Sequence, residues 1–325
     1  MNRLRRRLLA AAPALLAGRV LAQPAPAARR IAVISLAPRS GDPRLAEFER
    51  ALGALGYVDG KNIEIDWLYS DDRPERLPGM INEILQNHVS VIVATSTTAL
   101  EALRKRTATV PIVFITSVDP VASGFAQSLA RPGFNMTGMA PSTENVAPRQ
   151  LELLRQAVPG ATRIGVLLNP RNRQVAQARR RYEEAAAKLG VELIVIQAGT
   201  GESLSGTVGA ARSRGAQALV IQADNIFFQH RATLVEALAA QKLPAIFSQR
   251  ESVEAGGLMS YGPNETESYR RAASYVERLL KGARASELAI ERPAKIELAV
   301  NPKTAAALGL LLPGSLLHSA DRIVR

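Results

Sequence analysis

Short apolar runs alternate with amphipathic helical stretches from Arg30 onward, and the alternation starts again at Arg163. This repetition limits the chain more than any other feature, because strand and helix in strict succession are satisfied by a parallel sheet covered by helices on both faces. In the first round, Ile31 to Leu36 reads as a strand, and Leu45, Phe48, Leu52 and Leu55 recur at helical spacing until Gly56 stops them. Ile63, Ile65, Trp67 and Tyr69 alternate with polar residues, as in a strand with one wetter face. Leu77, Ile81, Ile84 and Leu85 return to helical spacing, followed by a strand over Val89 to Ala94, a helix over Ala99 to Arg106 and a strand over Val110 to Thr116. The second round runs through Arg163 to Leu168, Gln174 to Leu189, Val191 to Ile196, Glu202 to Arg214, Ala218 to Gln222, Arg231 to Gln241 and Ala245 to Ser248. Leu55-Gly56-Tyr57 and Leu189-Gly190-Val191 hold the same place in the two rounds, a helix stop feeding a second strand. The fold class is therefore α/β, with two doubly wound parallel-sheet lobes and a hinge, and 325 residues suit two domains of about 150. The turn formers of Arg131 to Gly138 suit a crossing point, and Leu258 to Gly262 reads as a flexible return. A helix through Tyr269, Ala273, Val276 and Leu280 and a strand over Lys295 to Val300 remain to be shared between the lobes.

Residues 1–22 have the parts of a secretory signal peptide: a basic head at Arg3, Arg5, Arg6 and Arg7, a short apolar run, and small residues ending at Ala22. Ala27 is a second candidate for cleavage. The run is far shorter than the about 20 residues of a spanning helix, and Arg5-Arg6 before Leu8-Leu9 also fits a twin-arginine leader. No cysteine stands near the cleavage point to carry a lipid, so the expected location is the periplasm. The net charge of +12 includes five arginines of the leader, which leaves +7 on the mature chain. Its densest cluster, Arg179-Arg180-Arg181, runs into Glu183-Glu184 and reads as a solvated helix face, so no nucleic acid partner is expected.

The chain has no cysteine, which excludes disulfides, thiolate metal sites and cysteine nucleophiles. His88, His230 and His318 are too far apart in sequence for a local metal motif. Phosphate-cradling, dinucleotide and nucleophile-elbow patterns do not occur, so neither a cofactor nor an enzyme is expected. Ligands of open parallel sheets bind beyond the carboxyl ends of the strands, so the candidate contacts are the residues just past each strand. Thr95, Ser96, Thr97 and Thr98 offer hydroxyls and helix-start N–H groups suited to a carboxylate, or else N-capping, which one of them must do. Ser117 precedes Asp119-Pro120, where Asp119 is the better cap and Ser117 the candidate contact. Asn169 comes directly after the first strand of the second round. Asp224 suits a ligand ammonium or a helix cap, and Tyr261 brings a phenol near the return.

Leu55-Gly-Tyr-Val-Asp-Gly-Lys-Asn-Ile63, Val110-Pro-Ile-Val-Phe114, Ser128-Leu-Ala-Arg-Pro-Gly133, Asn135-Met-Thr-Gly138, Ala255-Gly-Gly-Leu-Met-Ser-Tyr-Gly-Pro-Asn264 and Asn301-Pro-Lys-Thr-Ala305 resemble the ABC transporter substrate-binding family that includes tryptophan-binding lipoproteins. The resemblance extends over nearly the whole chain after Arg30. It implies a type I periplasmic-binding-protein fold, crossed three times by the chain, with residues 28–146 and 262–284 in one lobe and 147–261 and 285–325 in the other. It also implies a monomeric receptor that takes an amino acid or related carboxylate and delivers it to the membrane permease of an importer. By the same resemblance the Thr95 to Thr98 loop and Ser117 would meet the carboxylate end and Asp224 the ammonium. A sensory receptor that presents its ligand to a membrane signalling protein is the alternative.

Overall fold

The computed structural model describes residues 29–36, 42–71, 73–116, 118–140, 145–172, 174–292 and 296–324. The expected leader, residues 1–22, and Ser117 lie outside the described residues. The first round builds β1 (Arg29–Ser35), α1 (Pro43–Ala54), β2 (Ile63–Tyr69), α2 (Leu77–Gln86), β3 (Val91–Ala94), α3 (Thr97–Arg104), β4 (Ile112–Ile115) and β5 (Met136–Met139). The strands pair in parallel in the order β2-β1-β3-β4-β5. Side chains of a strand alternate between faces, so Ile31 and Val33 join one core with Phe48 and Leu52 of α1, while Ala32 and Ile34 join another with Ile81 and Leu100. Covered on both faces, β1 is apolar without alternation and its residues Ile31 to Ser35 are all buried.

The second round builds α4 (Val146–Ala157), β6 (Arg163–Leu168), α5 (Val175–Leu189), β7 (Glu192–Gln197), α6 (Leu204–Ser213), β8 (Ala218–Ile221), α7 (Asn225–Gln229), α8 (Arg231–Ala240), β9 (Ala245–Phe247), α9 (Arg250–Glu254) and β10 (Met259–Pro263). Strands β7-β6-β8-β9-β10 pair in parallel, in the same relative order as the first sheet. Both helix stops hold: Gly56 and Gly190 take φ of 89° and 65°, left-handed values that glycine adopts without strain. The remaining chain forms α10 (Glu265–Leu280), β11 (Ile296–Val300), α11 (Pro302–Ala307), α12 (Gly314–Ser319) and β12 (Arg322–Ile323). Helix α10 packs on α1 and the first sheet, and its Tyr269, Ala273 and Val276 lie in that core. β11 adds antiparallel to β10 and β12 parallel to β11.

Two segments differ from the sequence reading. Asn135 to Gly138 is no crossing: Met136 to Met139 is a buried strand, and the chain leaves the first sheet only after it. Leu258 to Gly262 is no flexible return either, because Met259 to Pro263 is the strand that joins β9 to β11. The segment after α10 still belongs to the first sheet, where Glu291 N–H donates to the Gly138 carbonyl at 3.0 Å and Ile290 is buried in the core. The last passage to the second sheet thus falls after Glu291, later than the expected residue 285.

Candidate functional site

In each sheet the strand order reverses beside its first strand, between β1 and β3 and between β6 and β8. Such a switch point leaves a crevice at the carboxyl ends, since the helices leaving the two strands go to opposite faces. At the first, Thr95 N–H donates to the Ile34 carbonyl at 3.2 Å and its hydroxyl to the same oxygen at 3.3 Å, tying the loop to β1. Ser96 caps α3, its Oγ accepting from Ala99 N–H at 3.2 Å. Thr97 Oγ1 lies 2.7 Å from Thr116 Oγ1 at the end of β4, and Thr98 is exposed. One of the four therefore caps and the others are free of that duty. Asp119 accepts from the N–H groups of Val121 and Ala122 at 2.8 and 2.9 Å, but it caps a turn and not the expected helix.

At the second switch point, Asn169 Nδ2 donates to Asp224 Oδ1 at 3.0 Å, and Asn172 Nδ2 donates to Oδ2 at 2.7 Å. Asp224 also caps α7, with Oδ1 accepting from Ile226 N–H at 3.1 Å. Three of the about four acceptor positions of that carboxylate are thus engaged. Asn169 and Asp224 stand together, whereas Tyr261 sits mid-strand in β10 with its ring packed on the core beneath α4 and α5. There the Tyr261 carbonyl accepts from buried Gln150 Nε2 at 2.8 Å, and Gln150 Oε1 accepts from the Tyr182 hydroxyl at 2.7 Å.

The two lobes meet at Arg44, which the sequence reading did not single out. Asp42 caps α1, accepting from Arg44 N–H at 3.0 Å, and takes Arg44 Nε and Nη2 on its two oxygens at 2.8 Å each. Nη1 donates to Glu265, at the start of α10. With its edge held by carboxylates, the guanidinium turns its face to the Phe228 ring of α7, 3.8 Å from the centroid, and lies 5.3 Å from that of Tyr269. Burial works against the Arg44 charge, but Tyr269, Glu265 and Asp42 outweigh it and hold its pKa well above the usual arginine range. Burial pushes the Glu265 carboxyl up, against the pull of Arg44, and Glu251 and Asp42 add to the rise. Burial likewise raises the Tyr269 phenol, against the pull of Arg44.

Beside the cluster lies a cavity of about 650 Å³ lined from both lobes: by Asp42, Glu49, Asp59, Trp67 and Tyr69 of the first and by Arg231 of α8 in the second. Trp67 and Tyr69 share a face of β2 two residues apart and stack, with rings 9° from parallel and centroids 6.5 Å apart. Phe48 meets Trp67 edge-on. The alternation Ile63, Ile65, Trp67, Tyr69 was the visible signal for this shelf. For Phe228 the signal is the pair Phe227-Phe228, because neighbouring residues of one helical turn cannot both face the same core. Among the described residues no cluster of histidine, aspartate and glutamate is arranged to hold a metal.

Residues 31–324 match the model of the family described as ABC transporter substrate binding protein, and the chain belongs to that family. A tyrosine-binding protein of Clostridioides difficile (strain R20291) is 24% identical over 263 residues, which span 81% of this chain and 75% of that relative. A conserved domain protein from Vibrio cholerae O1 biovar El Tor superposes with a TM-score of 0.82 at 24% identity, over 91% of this chain and 100% of that one. An ABC domain from Streptococcus pneumonia in complex with L-Trp gives 0.80 at 22% identity, over 91% and 99% of the two chains. Sheet order and these likenesses together define the type I periplasmic-binding-protein fold.

Proposed function

We propose that this chain is the solute-capturing component of an ABC importer, acting in the periplasm and handing an amino acid with an aromatic side chain to a membrane permease. The observation that carries the reading is the cavity lined from both lobes beside the Arg44 cluster. A stacked Trp67 and Tyr69 give a flat apolar wall for a ring. Arg231 suits a carboxylate, and Glu49 and Asp59 suit an ammonium. The amphoteric lining with an aromatic shelf thus fits the chemistry of tyrosine or tryptophan, which the names of two relatives carry. Thr95, Ser96, Thr97, Thr98 and Ser117 remain proposed contacts on the first rim. Asn169 and Asp224 are proposed to shape the second, with Asp224 holding its loop as much as it meets a ligand. Groups from both lobes bind best when the lobes are closed, so ligand shifts the population toward closure.

Isothermal titration with tryptophan, tyrosine, the other amino acids and small carboxylates tests this reading, with Trp67→Ala, Thr97→Ala and Asp224→Ala as variants. Saturable heat with an aromatic amino acid, weakened about tenfold or more by Trp67→Ala, is expected. No saturable heat across the panel removes the amino-acid ligand. Unchanged affinity in all three variants removes the site.

A further inference from the structure

Phe228 is 1% exposed, yet it lies outside the core cluster that holds its neighbours Ile226 and Phe227. Its ring is covered by two guanidinium groups, Arg44 of the first lobe at 3.8 Å and Arg231 of its own lobe at 4.8 Å. Arg231 is fixed by donating to the Phe228 carbonyl at 2.9 Å. Arg44 is fixed by Asp42 and by Glu265, so the orientation of its planar face is set before any lobe movement. Arg44 side-chain exposure is only 7%, and a cation over a ring gains most where water is excluded. Opening the lobes would uncover one face of Phe228 and the Arg44 face together.

We infer that Arg44 and Phe228 form an interlobe latch that sets how much of the ligand-free protein is closed. Each group is a positioning residue: neither needs to touch the ligand, and the latch acts through the orientation of α7 against α1. It is independent of ligand identity, so a failure of the aromatic amino-acid reading leaves it standing. Loss of a desolvated cation–π contact shifts the open-to-closed ratio about tenfold to thirtyfold. A ligand that requires closure then loses affinity by up to the same factor.

The chain has no native cysteine, so a single pair of introduced cysteines on exposed positions, Lys105→Cys in the first lobe and Arg212→Cys in the second, carries spin labels for pulsed distance measurement without ligand. Phe228→Leu keeps apolar bulk and removes the ring; Arg44→Lys keeps a charge for Asp42 and removes the planar face; Phe228→Tyr keeps the ring. The expected result is a short distance in the parent and in Phe228→Tyr, with a longer one gaining population in Phe228→Leu and Arg44→Lys. Retained circular dichroism shows that each variant is folded, and Arg44→Lys carries the test if Phe228→Leu is not. Equal distance distributions in the parent and the folded ring-deleted or planar-face-deleted variants would overturn the latch, as would a parent that is fully open without ligand.

Discussion

Replacing Arg44 by methionine is expected to destabilise the protein by about 3–5 kcal/mol near neutral pH, the cost of stripping one partner from a buried ion pair. The size comes from burial: side-chain exposure is 7% for Arg44 and 1% for Asp42, and the pair is bidentate with both contacts at 2.8 Å. Methionine fills much of the same volume but, among the described residues, leaves the Asp42 carboxylate with the backbone N–H of position 44 as its remaining donor. Glu265 would also lose Arg44, which now lowers its pKa against the upward push of burial. A carboxyl whose folded pKa stands above its unfolded one takes up a proton on folding, so stability rises as pH falls into that window. The deficit of Arg44→Met should therefore shrink between about pH 7.5 and about pH 5. Removing all three charges, with Asp42→Asn and Glu265→Gln added to Arg44→Met, should recover most of the loss, because apolar or neutral replacements of a whole buried pair cost little. Urea unfolding followed by circular dichroism at the two pH values reads all of this. A loss below about 1 kcal/mol with no pH dependence would refute the reasoning, since that is how a solvated surface pair behaves.

Packing and the cavity lead to three further outcomes. Gly138→Ala should cost at least about 2 kcal/mol or prevent folding, because φ at this position is 148° and a Cβ would overlap the Phe114 backbone in the neighbouring strand; thermal unfolding checks it. Tyr182→Phe should cost about 1–3 kcal/mol in urea titration by leaving the buried Gln150 Oε1 without its donor. Arg231→Met should weaken an amino-acid ligand by about tenfold or more while leaving its decarboxylated amine unaffected, if the guanidinium receives the carboxylate; paired titrations separate the two.

The long periodic elements were legible because their burial is decided by spacing alone. Ile31 to Ser35 is a strand buried on both faces and Leu45, Phe48 and Leu52 are one helix stripe, in line with their spacing. Short or interrupted elements were not. Met259 to Pro263 contains Gly and Pro, which signal a turn locally, yet close approach of the Ser248 backbone demands a glycine at 262 and pairing with Ile296 to Val300 makes the strand. Helix α4 carries Pro148 in its first turn, where proline is tolerated although it signals a break locally, and Leu151, Leu153 and Leu154 are buried along it. Thr95 to Thr98, Asn169 and Asp224 could be placed just past the carboxyl ends of strands because strand ends are visible in sequence. Arg44 could not, since its partners Glu265 and Phe228 are distant in the chain and only the folded lobes bring them together.

A crystal structure of the protein with a ligand identified by titration tests the central claim most directly. The account places that ligand between the lobes, touching the first through Trp67 or the Thr95 to Thr98 loop and the second through Arg231 or the Asn169 and Asp224 rim. A ligand held by one lobe alone, or bound away from both switch points, would contradict it.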